Sequence, residues 1–121
     1  MRIGIPTEIK NNENRVAITP AGVHELVRRG HEVFIQAGAG VGSGFSDDSY
    51  ASQGATILAT AKDVWQKGDL LLKVKEPIAA EYPLLRKDQV LFTYLHLAAS
   101  RPCTEALVKA GGVAIAYETV Q

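Results

Sequence analysis

Asp69-Leu-Leu-Leu-Lys-Val-Lys75-Glu76-Pro77 and Val90-Leu-Phe-Thr-Tyr-Leu-His96-Leu-Ala-Ala99 are the two runs, within residues 69–99, on which the fold turns. Each is short and largely apolar, as a strand buried on both faces must be. Each also delivers an ionisable side chain, Lys75 or His96, where the strand gives out. Pro77 bars the first run from continuing as a central strand. Ligands of an open parallel sheet bind in the crevice beyond the carboxyl ends of its strands. A lysine and a histidine at two such ends are therefore candidates to meet in one site.

Working outward, Arg2–Pro6 reads as a first strand stopped by its proline. The polar segment that follows, with Asn11, Asn12 and Asn14, favours turns. Such a long connection is unusual in a compact α/β unit and is commonly functional. Thr19-Pro20 opens a helix, with threonine as cap and proline in the first turn, and Gly30 ends it. His31–Gln36 and Ala55–Leu58 read as strands, separated by a short helix capped by Ser46. Thr60, with Asp63 three residues on, resembles a capping box and leads a helix through Val64 and Trp65 to Gly68. Trp65 reads as core. Pro77–Leu85 reads as a short turn or helix. Ser100 and Pro102 open a last helix, stopped by Gly111-Gly112 before a strand at Val113–Tyr117.

Six strands alternating with helical segments predict an α/β fold with a mostly parallel, flavodoxin- or Rossmann-like sheet and helices on both faces. At 121 residues the chain reads as a single domain, 1–121. Thirteen basic and 13 acidic side chains cancel without a long run of either sign, which argues against nucleic acid and membrane surfaces as partners. No apolar run approaches a membrane span, and no basic-then-apolar leader opens the chain, so the expected compartment is the cytoplasm. Cys103, the one cysteine, has no disulfide or zinc companion. Ala37-Gly-Ala-Gly-Val-Gly-Ser-Gly44 follows a strand but fails the i, i+2, i+5 glycine spacing of a dinucleotide fingerprint: Ser43 and Phe45 stand where glycine is required. It reads as a connection that lets backbones pack closely.

Lys75 can anchor a carboxylate or donate a proton to a carbonyl, or it can be a surface lysine paired with Glu76. Lys73, two residues earlier on the same face by strand alternation, looks similar. His96, between Leu95 and Leu97, suits general acid/base work, or is a satisfied core histidine. His24 and His31 read as surface residues. Arg15 carries a planar fork that fits a carboxylate, and its bland reading is a solvated loop arginine. All three of Arg15, Lys75 and His96 fall at or beyond carboxyl ends of strands. Together they describe a pocket for a small acid bearing a carbonyl or amine.

Four separated blocks carry a resemblance: Pro6-Thr-Glu-Ile-Lys-Asn-Asn-Glu-Asn-Arg15-Val-Ala-Ile-Thr-Pro20, Leu72-Lys-Val-Lys75-Glu-Pro77, Phe92-Thr-Tyr-Leu-His96-Leu-Ala-Ala99 and Ala116-Tyr-Glu-Thr-Val120. Over its whole length the chain resembles the amino-terminal, substrate-domain part of the alanine dehydrogenases. The resemblance implies NAD-dependent deamination of L-alanine to pyruvate and ammonia, and the reverse. It implies that Arg15 and Lys75 hold the substrate carboxylate and carbonyl oxygen and that His96 is the acid/base near the α-carbon. It also implies a homo-oligomer, commonly a hexamer, for the full-length protein. Chains of that family are longer, with a nucleotide-binding domain after this region. The expectation is thus a fragment holding the substrate half-site, with NAD bound elsewhere and no turnover by the fragment alone. The nucleotide-binding subunit of proton-translocating transhydrogenase shares the N-E-x-R-V…T-P pattern, but not the Lys-Glu-Pro and Leu-His-Leu. The saccharopine dehydrogenases are more distant. Two other function classes compete: a stand-alone binder of small carboxylates, which needs Arg15 and Lys75 but not His96, and a domain that self-associates through apolar surface.

Overall fold

The structure, a computed structural model, describes residues 1–9, 13–75, 78–94 and 113–116. The strands are β1 (Arg2–Ile5), β2 (Glu32–Gln36), β3 (Thr56–Leu58), β4 (Leu70–Lys75), β5 (Val90–Tyr94) and β6 (Val113–Ala116). The helices among the described residues are α1 (Pro20–Arg28), α2 (Asp47–Ala51) and α3 (Ala61–Lys67), with short 3-10 turns at Val41–Ser43 and Tyr82–Leu84. The strands form one six-stranded sheet in the order β3-β2-β1-β4-β5-β6, parallel at every pairing. The expected helix after Pro102, Cys103, and the strand ends at Leu95 and Tyr117 lie outside the described residues. Among the described residues, no helix is long and apolar enough to cross a membrane.

Helix starts follow the local chemistry. The hydroxyls of Thr19, Ser46 and Thr60 accept the amides of Gly22, Ser49 and Asp63, each satisfying a first-turn donor that has no partner inside its helix. The far end of α3 is closed by side chains from downstream. Arg86 and Gln89 both donate to the carbonyls of Trp65 and Gly68.

Strand alternation sorts the core into two layers. Ile3, Ile5, Val33 and Ile35 pack with Val23 of α1 and Tyr50 of α2. On the opposite face, Leu71 and Leu91 pack with Val64 and Trp65 of α3. Gly4, between Ile3 and Ile5, faces α3: a Cβ there would lie 3.0 Å from Val64 Cγ1. Helices therefore cover both faces, as a parallel sheet requires. Trp65 is fully buried. His24 is exposed as expected, whereas His31 is half-buried.

α3 approaches β1 closely because both backbones lack side chains where they cross. A Cβ on Gly68 would stand 2.9 Å from the Gly4 nitrogen and 3.0 Å from its Cα. Backbone cannot yield as a rotamer can, so Gly68→Ala is expected to destabilise the fold by about 1–3 kcal/mol. Urea denaturation measures this, and wild-type stability in the variant would show that the two backbones are not locked together.

Candidate functional site

The sheet changes direction beside β1. The chain steps from β1 to β2 to β3 on one side, then crosses back to place β4 on the other. Such a switch point opens a crevice beyond the carboxyl ends of the two diverging strands. Here it lies between the connection after β1, residues 6–19, and the end of β4 at Lys75. Strand order alone would suit a dinucleotide, but the chain fills the crevice differently. In place of a tight glycine turn, a long charged connection follows β1.

The described parts of that connection are braced. Gln36, the last residue of β2, accepts the Thr7 amide at 2.9 Å. Ser43 Oγ donates to the Asn14 carbonyl at 3.2 Å. The buried Tyr50 hydroxyl donates to the Ile18 carbonyl at 2.7 Å, and burial pushes its pKa up to about 12. The glycine-rich segment closes around the same loop. A Cβ on Gly42 would sit 2.6 Å from the Asn14 carbonyl oxygen, and one on Gly40 would sit 2.5 Å from the Tyr50 ring. Close backbone packing is thus its role.

Arg15 stands in a cleft of about 380 Å³ with Val16, Ala17, Thr19, Ser43, Phe45 and the Lys73–Val74 end of β4. Its guanidinium meets Glu13 side-on: Nε donates to Oε2 and Nη2 to Oε1, both at 2.9 Å. The Arg15 amide donates to the same carboxylate, also at 2.9 Å. The Arg15 hydrogen bonds hold the Glu13 carboxyl down at about 2, with a smaller contribution from the Lys75 charge. The structure therefore brings Arg15 and Lys75 into one electrostatic neighbourhood. His96 lies outside the described residues, two positions past the end of β5 in sequence.

The two lysines of β4 part company, which corrects the expectation that they share a face. Leu72 pairs with Phe92 and Lys75 with Tyr94, so three steps along β4 match two along β5. This is a β-bulge, and the extra residue reverses the alternation beyond it. Lys75 takes the face of Leu72, which packs against the first core layer together with Val16, Ala17 and Ile18 of the Arg15 connection. Lys73 is no surface lysine. It is 2% exposed, and its ammonium lies 3.1 Å from Glu8 Oε1 and 3.1 Å from Glu81 Oε2. Glu8 further accepts the amides of Val74 and Lys75, at 3.0 and 3.1 Å.

Sequence reasoning missed Glu8, Glu13, Tyr50 and Glu81. One signal for the buried cluster was present: a lysine inside the central-strand run Leu70–Val74 requires a buried counter-charge. Nothing in spacing identified which carboxylates would supply it. Among the described residues, no group of three or more His, Cys, Asp or Glu could hold a metal ion.

The family described as "Alanine dehydrogenase/PNT, N-terminal domain" matches residues 4–121. Alanine dehydrogenase of Mycolicibacterium smegmatis is 68% identical across the whole chain, which covers 33% of that protein. Alanine dehydrogenase of Bacillus subtilis is 56% identical over 99% of the chain and 32% of its own length. The chain therefore spans about a third of the curated relatives it matches. A solved L-alanine dehydrogenase superposes with a TM-score of 0.97 at 55% identity, covering all of this chain and 33% of that one. A transhydrogenase from Sinorhizobium meliloti superposes with a TM-score of 0.90 at 32% identity, over 98% of this chain and 34% of that one.

The Glu13–Arg15 pair makes an acid-range prediction. Its folded pKa lies below the unfolded value, so its contribution to stability is complete above about 4.5 and is lost as pH falls toward about 2. Glu13→Gln should flatten the decline of melting temperature across that interval relative to wild type. Parallel curves for the two proteins would mean that the pair is not formed.

Proposed function

The chain belongs to the family of the alanine dehydrogenase/PNT N-terminal domain, and from that premise we propose that it carries the substrate half-site of an NAD-dependent L-alanine dehydrogenase. Residues 1–121 serve in this reading as one substrate-binding domain. NAD is assigned in this reading to other parts of the enzyme. The reaction interconverts L-alanine with pyruvate and ammonia. A cytoplasmic homo-oligomer goes with the same reading.

The observation that carries the proposal is the convergence at the switch point. Arg15 is held on its Nε side by Glu13, while the bulge turns Lys75 to the same face of the sheet. A small keto acid presents two features to such a site, a carboxylate and an adjacent carbonyl. The planar fork of Arg15 suits the carboxylate, and the point charge of Lys75 suits the carbonyl oxygen, where negative charge grows as a nucleophile adds. His96 is assigned the proton transfers at the α-carbon as ammonia adds and water leaves. Fixing the α-carbon by two clamps is chiefly a positioning effect.

The test is steady-state kinetics with pyruvate and ammonia in an enzyme carrying this segment. Arg15→Ala and Lys75→Ala should each lower kcat/KM for pyruvate by about a hundredfold or more. Arg15→Lys, which keeps charge but loses the fork, should recover only part of it. His96→Ala should lower kcat with little change in pyruvate binding. An Arg15→Ala enzyme with an unchanged pyruvate KM would sink the assignment. The likeness to the Sinorhizobium meliloti protein favours one second reading, a transhydrogenase subunit. Nucleotide-to-nucleotide hydride transfer without pyruvate dependence would select it.

A further inference from the structure

We propose that Glu8 is a positioning residue that turns Lys75 toward Arg15 by holding the bulge at the end of β4. The inference rests on the reading of Lys75 as a substrate ligand.

β1 gives β4 a backbone partner only at its start, where Ile3 and Gly4 pair with Leu70 and Leu71. Past Ile5 the chain runs into Pro6, which has no amide to offer. The later amides of β4 therefore need another acceptor on that side. Glu8, buried and just beyond β1, supplies it. Consecutive amides of a regular strand point to opposite neighbours. Here the Val74 and Lys75 amides both reach one carboxylate, which the extra residue of the bulge allows. Lys73 then neutralises that carboxylate from within the same strand. The consequence falls on Lys75. With the bulge it lies on the face of Leu72, over which the Arg15 connection packs. Without the bulge it would follow Lys73 to the face of Leu71 and α3.

The test uses the enzyme carrying this segment, with pyruvate as the probe, and compares Glu8→Gln, Lys75→Ala and the double variant. Glutamine keeps the shape and leaves Lys73 balanced by Glu81, but its NH2 group meets a bulge amide donor to donor. The expected result is a pyruvate KM raised about tenfold with a smaller change in kcat. Added to Lys75→Ala, Glu8→Gln should raise KM by no more than about twofold, because its effect acts through the side chain already removed. A general loss of structure would instead multiply with Lys75→Ala. Glu81→Gln disturbs the same buried cluster without touching the bulge amides, and it should leave pyruvate KM within about twofold of wild type. Wild-type KM in Glu8→Gln, or losses that multiply in the double variant, overturns the proposal. Unchanged KM in Lys75→Ala fails the underlying reading instead, a distinct outcome. Should Glu8→Gln not fold, Glu8→Asp, which draws the carboxylate back by one methylene, carries the same expected and overturning results.

Discussion

A carboxylate buried among three donors is the constraint around which this fold is arranged. Glu8 takes the Lys73 ammonium and two backbone amides, and Lys73 takes Glu81 on its other side. Charges this deep are tolerated only when paired and fully hydrogen-bonded, and removing one partner from such a group costs roughly 3–5 kcal/mol. The cluster holds two acids and one base, so full ionisation would leave an unbalanced negative charge. Burial pushes the Glu81 carboxyl up against the opposing pull of Lys73. Glu8 is the acceptor for β4. The arrangement joins three segments distant in sequence: the connection after β1, the end of β4, and the turn before β5.

The division of labour follows from the sheet. Apolar side chains on both faces supply most of the stabilisation, and they need nothing from the strand ends. Those ends can then carry polar groups whose burial the core offsets. The same logic explains the glycine-rich segment. Its small residues let Tyr50, Phe45 and Asn14 pack tightly, and they thereby fix the far wall of the cleft. A loop that elsewhere could surround a phosphate here supports the loop that carries Arg15.

Most of the scaffold was legible in the sequence. Short apolar runs bounded by Gly and Pro marked all six strands, and Thr19, Ser46 and Thr60 marked the helix starts. These are local signals, set by φ/ψ preferences and by first-turn amides, and local signals survive into the fold. Arg15 and Lys75 were singled out as candidates by a topological rule about strand ends. Their surroundings were not. The bulge depends on where β1 stops relative to β4, which is a register between strands more than sixty residues apart in sequence. Strand alternation, applied without that register, placed Lys73 and Lys75 on one face. The error is instructive because alternation is reliable only while two strands keep step. Where they fall out of step, an added residue reverses every side chain beyond it.

The bidentate Glu13–Arg15 pair looks at first like a competitor for the carboxylate that Arg15 is assigned. Geometry and solvation argue otherwise. Glu13 engages the Nε edge of the guanidinium, through Nε and Nη2, and its own side chain is only 5% exposed. The Arg15 side chain is 63% exposed and lines the cleft. An arginine at the end of a polar loop would otherwise have to lose its rotamer freedom on binding, at a cost of roughly 0.5–1.5 kcal/mol. Glu13 removes that freedom in advance, and its low pKa keeps it charged wherever a keto acid would itself be ionised. The positive charge of Lys75 on the same side offsets the negative charge that Glu13 brings. Glu13, Arg15 and Lys75 therefore form one electrostatic unit, assembled from both sides of the switch point.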